Sequence, residues 1–239
     1  MRKQMGKFAA RFPMGIMALV LLSTSVCWAS PFDSGPDQSE TQLFNQRDLQ
    51  GWRPAICCDA ERLTPAEREL LSDLAAQDMN VHWQAAFGIL QYDGRGKPIE
   101  TERQFGPCIL SFQWKCDPCS TATIGLPGDW SVVIGDAHSD GADERRSSGA
   151  IYCGCRRMVE PLRCTDQPLG EWNHMTIRVR QHQIDVWLNG CRIAIADNIK
   201  LNEQGSITID GGPAPLYLRH VTLQSLEDHP SRESKTQLP

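Results

Sequence analysis

An Asn-Gly pair, Asn189-Gly190, stands between two alternating runs, and this junction constrains the fold more than any other stretch of the chain. Upstream, Ile184, Val186 and Leu188 alternate with Gln183, Asp185 and Trp187; downstream lies a second run over 192–196. Both corners of a type I′ turn need positive φ, which Asn and Gly tolerate, so the pair predicts a tight β-hairpin. The period of two recurs elsewhere. Over 109–115, Leu110, Phe112 and Trp114 face one way, while Ser111, Gln113 and Lys115 face the other. Over 174–180, Met175, Ile177 and Val179 alternate with Thr176, Arg178 and Arg180. Successive strand side chains point to opposite faces, so each of these strands has one face to bury. Further strands are expected at 87–92, 131–135, 150–153, 206–210 and 216–223. One segment reads differently. Thr64-x-x-Glu67 is a capping box with Pro65 at the first helical position, and Leu70, Leu71 and Leu74 recur on one face. That predicts a short helix near 65–78 with one apolar face and Glu67, Arg68, Glu69 and Asp73 on the polar side. Many strands, one helix and frequent Gly and Pro turns predict an all-β chain: a two-sheet antiparallel β-sandwich with one inserted short helix.

The ends read as additions to this domain. Arg2, Lys3, Lys7 and Arg11 precede an apolar run over 12–26 that exits in Cys27-Trp28-Ala29-Ser30. A charged start, an apolar stretch and a small-residue exit make a secretory signal peptide over 1–29, with cleavage expected after Ala29. A retained anchor and lipidation at Cys27 are the alternatives. The run is short for a membrane span, which takes about 20 residues, and no later segment is apolar enough to make one. The chain then divides into a flexible lead-in over 30–40, one domain over 41–226 and a polar tail over 227–239. Cleavage removes four cations and no acid, moving the formal charge from −5 to −9 (20 Lys+Arg against 29 Asp+Glu). Such an acidic, exported chain, periplasmic or extracellular, is suited neither to nucleic acid nor to an anionic membrane surface.

Of ten cysteines, Cys27 falls in the leader; Cys57, Cys58, Cys108, Cys116, Cys119, Cys153, Cys155, Cys164 and Cys191 remain. Outside the reducing cytosol such residues pair, and an odd count leaves a thiol or an intermolecular disulfide. Zinc is the rival reading, since Cys116-x-x-Cys119 and Cys153-x-Cys155 together offer four sulfurs.

Four segments, in order, resemble the 3-keto-disaccharide hydrolase domain family. Leu43-Phe44-Asn45-Gln46-Arg47-Asp48-Leu49-Gln50-Gly51-Trp52 is similar to its opening "LFNGKDLSGW". Trp83, Gly88-Ile89-Leu90 and the stretch from Phe105-Gly106-Pro107 to Trp114-Lys115 resemble "W…dGvl…fgdFeL.lewr". Gly170-Glu171-Trp172-Asn173 followed by Leu188-Asn189-Gly190 resembles "GEWN…I…lNG", and 205–223 resembles "G.I.LQ…v.fRNi.i" with Arg219 at the arginine. The resemblance implies a concanavalin-like jelly roll. The family's "YEVQILD" and "SGALYG" correspond to Trp130-Ser131-Val132-Val133-Ile134-Gly135-Asp136 and Ser148-Gly149-Ala150-Ile151-Tyr152. The aspartate is kept, but Ser131 and Val133 replace Glu and Gln, and Gln113 replaces an acid. The resemblance also implies that the strands bearing Cys116, Cys119, Cys153 and Cys155 share one cleft region.

Cleaving a 3-keto-glycoside needs a base for the C2 proton acidified by the ketone, a cation or donors for the enolate oxygen, and an acid for the leaving oxygen. The polar cluster over 136–146 offers candidates. Asp136 and His138, two apart at a strand end, are the catalytic candidates; Asp136, Asp140 and Asp143 could hold a divalent cation through oxygens. The alternative is a solvated acidic loop with no site. Gln113, Trp130, Trp187 and Arg219 are candidates to line the sugar site, with Trp187 on the polar side of its strand. The function expected is an exported hydrolase or lyase acting on oxidised sugars. A carbohydrate-binding module without catalysis and a cell-envelope structural or adhesion protein are the alternatives.

Overall fold

The computed structural model describes residues 40–56, 63–135, 148–201 and 204–226. Two antiparallel sheets face each other across one apolar core. The first runs β13 (Cys191–Asp197), β12 (Gln183–Leu188), β11 (Asn173–Arg180), β6 (Cys108–Cys116), β15 (Leu216–Ser225), β4 (Ile89–Tyr92), β3 (Trp83–Ala86), with β1 (Glu40–Gln42) also on β15. The second runs β10 (Arg156–Val159), β9 (Ile151–Cys153), β8 (Trp130–Gly135), β7 (Thr121–Gly125), β14 (Thr208–Asp210), β5 (Ile99–Thr101), β2 (Trp52–Pro54). The predicted two-sheet sandwich is thus the observed fold.

Parity along each strand decides what the core receives. In β6, Leu110, Phe112 and Trp114 are buried and Ser111, Gln113 and Lys115 turn outward. In β11, Met175, Ile177 and Val179 do the same, joined by Ile184, Val186 and Leu188 of β12. The predicted hairpin is present, with φ of 51° at Asn189 and 82° at Gly190. A fully buried Leu or Ile side chain contributes about 1.5–3 kcal/mol, so these interlocking rows dominate stability.

The opening Leu-Phe-Asn motif is a local clasp. Asn45 Oδ1 accepts from the Arg47 and Asp48 N–H groups, Asp48 Oδ1 accepts from the Gln50 N–H, and the Trp52 indole N–H donates to the Leu43 carbonyl at 2.8 Å. This folds the chain back so that Phe44 and Trp52 enter the core.

Helix α1 (Pro65–His82) starts at the predicted capping box: Glu67 N–H donates to the Thr64 side chain while Thr64 N–H donates to the Glu67 carboxylate. It runs past the expected end, and much of its leucine face is open. Leu70 and Leu74 are 60% and 54% exposed, and Met79 alone of the helix is buried. The two sheets already close the core, and near its C-terminal end α1 is held by Met79, by the Lys97 N–H donating to Asp78 and by the His82 ring 2.9 Å from Asp93 Oδ2.

The cysteine neighbourhood also differs from expectation. Thr121 lies beside Gly135 at one end of β8, whereas Cys153 pairs with Trp130 at the other. Five residues of strand separate them by about 17 Å, so the Cys116–Cys119 and Cys153–Cys155 pairs do not meet at that strand. Cys57 and Cys58 lie outside the described residues.

Candidate functional site

The strap between β10 and β11 is fixed by the motif residues at its end. Asn173 Oδ1 accepts from the Gln167 N–H at 2.8 Å and from Asn189 Nδ2 at 2.9 Å. Asn189 in turn donates to the Thr165 carbonyl and accepts from the His174 N–H. The hairpin tip and the strap therefore lock each other, and Trp172 is placed by that lock. Its ring lies on the outer face of the first sheet, 4.0 Å from the Arg219 guanidinium carbon and 5.2 Å from Lys115 Nζ, which also sits 5.2 Å from the Tyr217 ring.

Arg219 is held from a second side. Its Nε donates to Gln113 Oε1 at 2.7 Å, so the Nη groups remain as an outward fork. No carboxylate pairs with Arg219 or Lys115 among the described ion pairs. Partial burial holds the Arg219 guanidinium somewhat below its ordinary pKa, with no effect on its charge near neutrality. Immediately after it, β15 takes an extra residue: Arg219 pairs with Gln113, but Thr222 pairs with Ser111. His220 occupies this bulge, exposed, at φ 52°. Bulges re-aim side chains and are enriched beside functional sites.

His174 pairs across the sheet with Gln113, and its Nε2 lies 3.0 Å from Ser111 Oγ. Burial pushes its imidazole below the usual 6.5, favouring the neutral ring. Further along the same face, Trp187 receives the Arg178 guanidinium at 5.1 Å. Arg178 also donates twice to Asp185 Oδ2, at 3.1 and 2.7 Å.

Beside this face, at the sandwich end, a small cleft is lined by Trp114, Cys116, Gly135, Asp166, Glu171 and Asn173 among others. Its cavity volume of about 10 Å³ is room for one water. The Trp114 indole N–H is buried there without a hydrogen-bond partner, a donor a bound water or ligand atom would satisfy. Gly135 is the last described residue of β8 and immediately precedes Asp136 in sequence.

The sequence-predicted residues therefore separate. Gln113 and Arg219 are brought together, and Trp187 shares their face. Trp130 does not: it is 7% exposed, with its indole N–H donating to the Lys200 carbonyl. Parity explains this, because Trp130, Val132 and Ile134 turn inward and Ser131 and Val133 outward. Asp136, His138, Asp140 and Asp143 lie outside the described residues. No group of three His, Cys, Asp or Glu set to hold a metal occurs among the described residues. Trp172, Lys115 and Tyr217 also belong to this face, though nothing in the sequence marked them as site residues. Trp172 stood in a motif beside Asn173, which was its only signal.

The paired antiparallel sheets and their strand order define a concanavalin-like jelly roll. Residues 39–224 match the model of the 3-keto-alpha-glucoside-1,2-lyase-like domain family, and the chain belongs to that family. Two crystal structures of putative glycosyl hydrolases from Parabacteroides distasonis ATCC 8503 share the fold. One has TM-score 0.57 at 15% identity, covering 79% of this chain and 94% of that one; the other has TM-score 0.56 at 16% identity, covering 79% and 100%. A prokaryotic β-1,3-1,4-glucanase (lichenase) from a mouse hindgut metagenome gives TM-score 0.51 at 12% identity, covering 79% and 98%. No curated protein matches the chain.

Proposed function

We propose that the chain is an exported glycoside-processing protein that cleaves 3-keto-glycosides by abstraction of the C2 proton and elimination of the C1 substituent. Asp136 takes the C2 proton, with His138 as the partner acid or base. The Arg219 fork, oriented by Gln113 and stacked on Trp172, stabilises the enolate oxygen. The leaving glycosidic oxygen receives a proton, and water adds to the resulting double bond. The observation that carries this reading is the junction at the strap. Gly135, one residue before Asp136, lines the cleft with Glu171 and Asn173, and Trp172 between those two carries Arg219 on the adjoining face. A divalent cation on Asp136, Asp140 and Asp143 would add charge stabilisation to the enolate.

A binding module without catalysis is the second reading. The outward positions of β8 favour it, since Ser131 and Val133 present no ionisable group. Cleavage of a 3-keto-disaccharide by the wild type, with Arg219→Met reducing kcat/KM by about 10²-fold or more, is the expected result. Absent cleavage with sugar binding measurable by calorimetry would replace the enzyme reading by the second.

A further inference from the structure

The strap that carries Trp172 holds one cysteine, and the hairpin it locks onto holds another. The Leu162 N–H donates to the Ile193 carbonyl at 2.7 Å, placing the strap along the open edge of β13. Two residues further along the strap is Cys164; two residues back along β13 is Cys191. A second contact lies nearer to both cysteines. Thr165 Oγ1 donates to the Leu188 carbonyl at 3.1 Å, and Leu188 is the cross-strand partner of Cys191. Cys164 adjoins Thr165, whose carbonyl also accepts from Asn189 Nδ2 at 2.7 Å, so these bonds set Cys164 beside the turn that leads into Cys191; a disulfide needs Cα atoms about 4.4–6.8 Å apart. Cys164 is exposed and Cys191 partly so, which leaves both open to an oxidant.

We propose that Cys164 and Cys191 form a disulfide that staples the strap bearing Glu171 and Trp172 to the β12–β13 hairpin. The Cys164 thiolate attacks the disulfide of an oxidant, either oxidised glutathione or a protein disulfide donor, and expels one thiol. The Cys191 thiolate then attacks Sγ of Cys164 and expels the second. The two protons lost by the cysteines end on the two expelled sulfurs, and the two electrons leave with them. In the structure the Cys164 thiol donates instead to Asp166 Oδ2 at 3.3 Å, and burial together with the Asp166 charge raises its pKa. The first exchange is therefore slowed at neutral pH. The bridge closes a loop of about 28 residues, long enough to restrict the unfolded chain substantially.

The test is independent of catalysis and of export. The full-length protein, equilibrated in an oxidising glutathione buffer, is alkylated and digested with trypsin without reduction. The expected product links the peptide 164–178 to the peptide 181–192. Reduction of the wild type should lower Tm by roughly 5–10 °C. Cys164→Ser and Cys191→Ser should each show that lower Tm and no further response to reductant. Recovery of both peptides separately alkylated, or of either cysteine joined to a different partner, overturns the proposal.

Discussion

Replacing Arg178 by methionine isolates a buried charge and gives a prediction with a definite size. Asp185 is 1% exposed, and its Oδ2 takes both hydrogen bonds from Arg178. Its Oδ1 has no hydrogen-bond partner, and the nearest other cation, Arg192, is 3.8 Å away on a side chain 53% exposed. The methionine side chain would keep much of the arginine stem's packing against Trp187 but leave the carboxylate uncompensated in the sheet. Breaking a buried pair from one side costs about 3–5 kcal/mol; the half-exposed Arg192 recovers little of this, so we expect about 3 kcal/mol. For a domain of this size that lowers Tm by roughly 6–12 °C. The double variant Arg178→Met, Asp185→Leu removes both charges and should return to within about 1 kcal/mol of wild type. Urea unfolding of the wild type, the two single variants and the double variant measures the coupling. A loss below about 0.5 kcal/mol for Arg178→Met, or a double variant as unstable as the sum of the singles, would refute the reasoning.

Two further outcomes follow from burial. Leu70→Gln and Leu74→Gln on the open face of α1 should each change stability by less than about 0.5 kcal/mol, whereas Leu110→Ala in the core should cost about 2–5 kcal/mol; comparable losses at all three sites in chemical denaturation would contradict the exposed helix. His174 has a folded-state pKa below 6.5 because burial disfavours its cation, so the unfolded chain binds the proton more readily. The stability advantage of wild type over His174→Gln should be constant above pH 6.5 and fall as pH drops below it; a urea-midpoint difference that grows on acidification would reverse the sign.

Much of the fold was legible because its signals are local. Period-two alternation named the faces of β6, β11 and β12, and Asn189-Gly190 needed only its own backbone preference. The helix was equally legible at its capping box, yet the burial of Leu70 and Leu74 was not. Their spacing says that they share a face; whether anything covers it depends on sheets assembled from distant segments. Trp130 shows the limit within one strand: parity tells which residues share its side, not that a large aromatic on that side must be core. The site was the least legible part. Arg219 and Gln113 are 106 positions apart and Trp172 belongs to a third segment, so their meeting follows from sheet order and from the lock between strap and hairpin. The bulge at His220 carries no glycine to announce it.

The claim that this chain removes a C2 proton from an oxidised sugar is tested most directly by following a 3-keto-disaccharide in D₂O by proton NMR. The wild type should lose the C2–H signal and accumulate the cleaved products, with Asp136→Asn slower by about 10²–10⁴-fold while Tm changes little. Equal rates for both proteins, or cleavage by the wild type with C2–H retained in the products, would contradict the account.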